Sequence, residues 1–150
     1  MIGIIVATHG KMSNGIVSAA DLIIGSTENI KTLNLFQEDN VQDLHGKFLN
    51  EIKAVDQNDG VIIFVDLAGA SLYNQAVLAV NSLAAEQQKK VHVIAGVNLP
   101  MFIDAINQQM IGSSIQDAVA SVINEAQRGI VTWSAEDSEQ DDQYDEEEEL

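Results

Sequence analysis

The chain has no cysteine. That excludes disulfides, thiolate metal sites and cysteine catalysis. It is also short of bases, with 7 Lys and Arg against 23 Asp and Glu. A surface this poor in positive charge cannot neutralise many phosphates, so general nucleic-acid binding is excluded. No apolar run approaches the roughly 18 residues of a membrane span. The start, Met1-Ile2-Gly3-Ile4, has no basic segment ahead of its apolar stretch and no cleavage pattern, so it does not read as a signal peptide. A cytoplasmic protein is expected. The three histidines are widely spaced and lack neighbouring acidic ligands, so no metal site is expected, and no motif calls for a cofactor.

The residues that are present fit one domain. The chain has 150 residues, 46% of them apolar, enough to bury a full core. The formal charge of −16 is unevenly placed. Residues 134–150 hold ten of the acids and no base, which leaves 13 acids and 7 bases, a net of −6, in residues 1–133. A folded domain over 1–133 with an acidic, disordered tail over 134–150 is expected.

Apolar runs alternate with helical patterns. Residues 2–8, 31–35, 61–65 and 91–97 read as strands, the first and third as continuous runs suited to burial on both faces. Residues 14–24 read as a helix with Ile16, Ala19, Ala20 and Ile23 buried and Gly25 as its stop. Residues 41–56 read as another, with Leu44, Phe48, Ile52 and Val55 recurring every three or four positions. Ser71 suits the N-cap of a helix reaching about residue 86. The single proline, Pro100, suits the first turn of a helix over 100–109. Residues 114–127 form a last helix, with Ile115, Ala118, Val119, Val122, Ile123 and Ala126 inside. Residues 130–133 read as a final short strand. The pattern is that of a three-layer α/β fold with a mainly parallel sheet.

In open α/β sheets, sites lie at the carboxyl ends of the strands, where strand order reverses. The first strand ends in Thr8-His9-Gly10-Lys11, the second in Phe36-Gln37-Glu38-Asp39, the third in Asp66-Leu67-Ala68-Gly69-Ala70-Ser71 and the fourth in Asn98-Leu99-Pro100-Met101. With the first and third strands adjacent, His9 and Asp66 face each other beside helix N-termini. A carboxylate on one ring nitrogen fixes the tautomer and leaves the other lone pair free to attack. Gly10 and the segment Gly69-Ala70-Ser71 let backbone amides approach an anion, with Lys11 as the nearest cation. The chemistry suggested is phosphoryl transfer to His9. Taken singly, each residue has a plainer reading: a polar loop residue for His9, a helix cap for Asp66 or Ser71. His45 reads as surface and His92 as structural. Met101, Met110 and Trp133 read as packing or interface residues. A serine hydrolase built on Ser71 is disfavoured because its segment lacks the second glycine of a nucleophile elbow.

Three segments carry a more specific likeness: Val6-Ala7-Thr8-His9-Gly10 with Gly15, Phe64-Val65-Asp66-Leu67-Ala68-Gly69-Ala70-Ser71-Leu72-Tyr73-Asn74, and Val93-Ile94-Ala95-Gly96-Val97-Asn98-Leu99-Pro100-Met101. In this order and at these separations they resemble the enzyme IIA domain of the mannose family of the bacterial sugar phosphotransferase system, across nearly all of residues 1–133. The resemblance implies a central four-stranded parallel sheet in the order 2-1-3-4, with the strand at 130–133 exchanged with a second subunit in a homodimer. It implies that His9 accepts a phosphoryl group from the histidine phosphocarrier protein and passes it to enzyme IIB, which serves the membrane subunits IIC and IID indirectly. Asp66 matches the residue that orients the active histidine, and Ser71 a hydroxyl at the site's helix terminus. Gly10, Lys11, Gly69, Ala70 and Asn98 are expected around the phosphate.

Two positions depart from the family pattern, which usually reads Asp-x-x-Gly-Gly-Ser/Thr-Pro-x-Asn. Ala70 replaces the second glycine and Leu72 the proline. If the glycine position requires positive φ, Ala70 costs about 1 kcal/mol or forces a different turn. In place of the Ala/Pro-rich linker and IIB domain of the best-known members stands an acidic stretch, which reads as a separate IIA subunit. The phosphotransfer subunit of dihydroxyacetone kinase shares the fold, but its segment more often reads His-Ser where this chain has His9-Gly10. A non-catalytic anion-binding regulatory module is the alternative of a different class.

Overall fold

The structure, a computed structural model, describes residues 1–137. The elements come in the order β1 (Gly3–His9), α1 (Met12–Ile24), β2 (Ile30–Leu35), a 3-10 turn (Val41–Asp43), α2 (Leu44–Val55), β3 (Val61–Val65), α3 (Ser71–Asn81), α4 (Ala85–Gln88), β4 (Val91–Ala95), α5 (Leu99–Ile111) and α6 (Ile115–Arg128). The four strands form one sheet in the order β2-β1-β3-β4, parallel at every pairing. This is the expected 2-1-3-4 arrangement. It carries the carboxyl ends of β1 and β3 to the same edge as neighbours.

Alternation along the strands divides the core. Ile4, Val6, Ile62, Phe64 and Ile94 point to one side, where α1, α5 and α6 cover them. Ile5, Ala7, Ile63 and Val65 point to the other, against α2 and α3. All five residues of β3 are buried, as a central parallel strand requires. Phe64 meets Phe102 of α5 edge to face, with centroids 5.9 Å apart. Leu72, fully buried at the start of α3, anchors that helix to the second core. Burying such a side chain contributes about 1.5–3 kcal/mol.

Several expectations change. Ile23 is exposed, and Ile24 packs against the core instead, because the buried stripe of α1 keeps the four-residue spacing of Ile16 and Ala20. Ile123 is also exposed, and Val119 is only partly buried. The helix expected over 71–86 ends at Asn81. There the Ser82 hydroxyl donates to the Ala79 carbonyl, and the Gln88 amide donates to the carbonyls of Asn81 and Leu83. Those bonds satisfy the end of the helix and turn the chain into α4. Residues 130–133 form no strand within this chain, and Ile130, Val131 and Trp133 are exposed. Neither edge of the chain's own sheet takes them up. Of the expected acidic tail, residues 135–137 make a helical turn, with the Asp137 N–H donating to Ser134 Oγ; residues 138–150 lie outside the described residues. No helix among the described residues is long and apolar enough to cross a membrane.

Candidate functional site

His9 is the last residue of β1, and Asp66 comes directly after β3, the strand beside it. Parallel pairing in register, Ala7 opposite Val65, brings the two together. Asp66 Oδ2 accepts from the His9 backbone N–H at 2.8 Å and lies 2.8 Å from ring Nδ1. The other oxygen accepts from the Leu67 N–H at 3.0 Å. The His9 side chain is 46% exposed and that of Asp66 12%. Partial burial pushes the Asp66 carboxyl up. The hydrogen bonds from the His9 backbone and ring, with the charge of the ring, outweigh it and hold the carboxyl below its ordinary value. An ionised carboxylate can only accept, so Nδ1 carries the proton and Nε2 keeps the lone pair.

The loops on either side arise from local sequence. Gly10 sits at φ 60° and Gly69 at φ 75°, left-handed positions that suit glycine. Ala70 takes φ −80° and ψ 173°, ordinary extended backbone, so the missing second glycine causes no strain. Asn74 Nδ2 donates to the Gly69 carbonyl at 3.1 Å and steadies this turn. The N-cap of α3 is Ala70 rather than Ser71, and neither makes a side-chain capping bond. Ser71 occupies the first helical position, half-buried, and its hydroxyl makes no hydrogen bond among the described residues. The first amides of α3 therefore lack a side-chain cap at the end nearest the His9–Asp66 pair.

Helix α1 starts at Met12 with exposed Lys11 as its N-cap, again without a side-chain capping bond. A partner comes from β1 instead. Buried Thr8 Oγ1 accepts from the N–H of buried Ser13 at 2.8 Å. The Ser13 hydroxyl bonds the Asn34 amide of β2. Asn98, expected near the phosphate, is committed elsewhere. It caps α5 by accepting from the Met101 N–H at 3.1 Å and donates to the Ala126 carbonyl of α6 at 3.2 Å. No hydrogen bond among the described residues joins it to His9.

Residue patterns alone do not single out Thr8, Ser13, Asn34 and Asn74 as site residues. Nor do they single out three exposed apolar side chains, Met12, Phe36 and Leu67, which come after β1, β2 and β3 at the His9 end of the sheet. The signal is present only in part. Asn34 is a polar residue inside an apolar strand, but its position opposite Thr8 depends on the register. The serine hydrolase alternative has no geometric support, since Ser71 makes no bond to His9 among the described residues.

Comparison with known proteins bears on the family and the fold. The family model described as "PTS system fructose IIA component" matches residues 3–123. The mannose-specific EIIAB component of the phosphotransferase system of Escherichia coli (strain K12) is 26% identical over 134 residues, 89% of this chain. The chain spans 40% of that relative's length. The fructose-specific EIIA component of Bacillus subtilis (strain 168) is 28% identical over 107 residues, covering 71% of this chain and 70% of that protein. Among solved structures, the phosphotransferase system component EIIA from Streptococcus agalactiae superposes with a TM-score of 0.78 at 26% identity, over 88% of this chain and 97% of that one.

Proposed function

The chain belongs to the IIA family of the bacterial sugar phosphotransferase system, and from that premise we propose that His9 is its phosphoryl acceptor and donor. The observation that carries this reading is the double tether of His9 to one oxygen of Asp66. The ring cannot swing away, its tautomer is set, and Nε2 is the nitrogen left to react.

The step balances simply. The Nε2 lone pair attacks phosphorus in a phosphohistidine of the incoming phosphocarrier protein. The N–P bond of the donor breaks, and its electron pair returns to the donor ring. His9 becomes positively charged as its own N–P bond forms. Asp66 stabilises that charge through Nδ1–H without taking the proton. Little covalent work is needed beyond alignment and charge stabilisation. The phosphoryl oxygens are met by the N-terminal amides of α1 and α3, the unused Ser71 hydroxyl and the Lys11 ammonium. Transfer onward to a histidine of enzyme IIB is the same step in reverse, and the sugar is phosphorylated later, at the membrane subunits IIC and IID.

Two further features belong to this reading. The protein works in the cytoplasm, where its phosphocarrier resides. It also acts as a homodimer in which residues 130–133 add to a second copy's sheet. Exposed Ile130, Val131 and Trp133 and the unpaired edge of β4 support that pairing.

The test is labelling from phosphoenolpyruvate in the presence of the phosphocarrier protein and its activating kinase. An acid-labile phosphohistidine should form on the wild-type chain and be absent from His9→Ala. Equal labelling of the two would end the assignment.

A further inference from the structure

The loop after His9 is gripped from β2 as well as from Asp66. Gly10 sits at φ 60°, a conformation that glycine leaves as readily as it enters, because no Cβ restricts it. Something outside the loop must hold it. The Gly10 N–H donates to the Leu35 carbonyl at the end of β2, 2.9 Å away. One residue earlier on β2 is Asn34, the register partner of Thr8. With its nitrogen towards the loop, the Asn34 amide donates to the Gly10 carbonyl at 3.0 Å and to the Ser13 hydroxyl. In that orientation the Asn34 oxygen faces the Asn14 side chain and accepts from its amide when Asn14 turns its nitrogen towards it. Ser13 is buried and anchored in turn to Thr8.

Both peptide groups of Gly10 are thus held from β2, one by main chain and one by a side chain. The same side chain holds the first turn of α1. We propose that Asn34 is a positioning residue for the reaction at His9. It locks the left-handed turn at Gly10 and so keeps the His9 ring and the α1 N-terminus in one fixed relation. Asp66 restrains the ring from β3, and Asn34 restrains the backbone behind it from β2. Displacement of an attacking atom by about 1 Å costs on the order of a hundredfold in rate. The proposal rests on His9 being the phosphoryl acceptor.

The experiment compares full-length wild type with Asn34→Ala, which removes the donor without adding charge, and Asn34→Asp, which keeps the shape and loses the donor. Phosphoryl transfer from the phosphocarrier protein is measured at varied carrier concentration, alongside nitrogen-15 spectra of the His9 ring and the Gly10 amide. The expected result is a fall in kcat of roughly 10- to 100-fold in both variants, with KM for the carrier unchanged and the His9 and Gly10 resonances displaced. Wild-type kcat in either folded variant would overturn the proposal, as would a change in KM alone or undisplaced resonances. Loss of folding in both variants would overturn it in favour of a purely structural role. If the wild-type chain takes no label, the acceptor reading fails instead, and the spectra still report whether Asn34 holds the turn.

Discussion

One oxygen of Asp66 serves His9 twice, accepting from its backbone N–H and from ring Nδ1, each at 2.8 Å. A single carboxylate atom therefore couples the end of β1 to the orientation of the ring. Asp66→Asn keeps the shape but changes the chemistry. The introduced amide can present its N–H₂ to Nδ1, which moves the ring proton to Nε2 and removes the attacking lone pair. Transfer is expected to fall by about 10²- to 10⁴-fold, in line with orienting carboxylates elsewhere. Folding stability should drop by only about 1–3 kcal/mol. Single-turnover kinetics and urea denaturation of the same preparation check both figures, and an unchanged rate would remove the orienting role.

The lowered pKa of Asp66 gives a pH signature of defined sign. Its folded value lies below the ordinary 3.8, so the ionised form is the one the fold stabilises. That contribution is complete above the unfolded value and is lost as pH falls through the folded one. The stability difference between wild type and Asp66→Asn should be flat from neutrality down to about pH 4 and shrink below it. Denaturant midpoints of the two proteins, read from neutral pH into that acid range, test this. A difference that instead grows on acidification would contradict the assigned direction.

The His9–Asp66 pair is legible in the sequence because it depends on strand order and on the residues just past each strand end, both of which survive small errors in boundaries. The supporting layer is not. Thr8 capping α1 through Ser13, and Asn34 reaching Gly10, depend on register and on side-chain direction, which apolar patterning does not encode. Ile23 and Ile24 show the same limit, since a shift of one residue on a helix turns a side chain by about 100°. The strand expected at 130–133 has no partner in the chain's own sheet, and apolar patterning does not say which sheet a short run would join. Ala70 runs the other way. The departure from the family's glycine suggests strain, yet an extended backbone at that position accommodates any residue.

Met12, Phe36 and Leu67 are exposed apolar side chains on the segments that follow β1, β2 and β3, the end of the sheet that carries His9. Phe36 is held in place, because its N–H donates to Asp39 Oδ2 at 2.8 Å and its carbonyl accepts from the Asp39 N–H. Exposed apolar side chains around a reactive atom suit a protein partner, whose docking buries them. Leu67→Ser and Phe36→Ser are expected to raise KM for the phosphocarrier by roughly 5- to 30-fold, about 1–2 kcal/mol each. The kcat should be little changed, and melting should shift by the small amount usual for surface sites. Transfer titrations with each variant separate the two parameters, and a loss confined to kcat would place these residues in the chemistry instead.

The acidic run carries a prediction about the same encounter. Ten acids and no base fall within residues 134–150, against a net −6 for residues 1–133. A phosphocarrier that presents a basic face to His9 would be drawn to the whole molecule by this field before any contact forms. Such steering changes association rates by about ten- to a thousandfold at most and fades with salt. The screening length is about 30 Å at 0.01 M salt and about 3 Å at 1 M. Deleting residues 134–150 should therefore slow transfer several-fold at low carrier concentration in dilute buffer. The same deletion should have no effect near 1 M salt or at saturating carrier, where encounter no longer limits the rate. Stopped-flow transfer across a salt series distinguishes steering from docking. A deletion effect that persists at high salt would mean that these residues make contacts of their own, and no effect at any salt would leave them without a part in transfer.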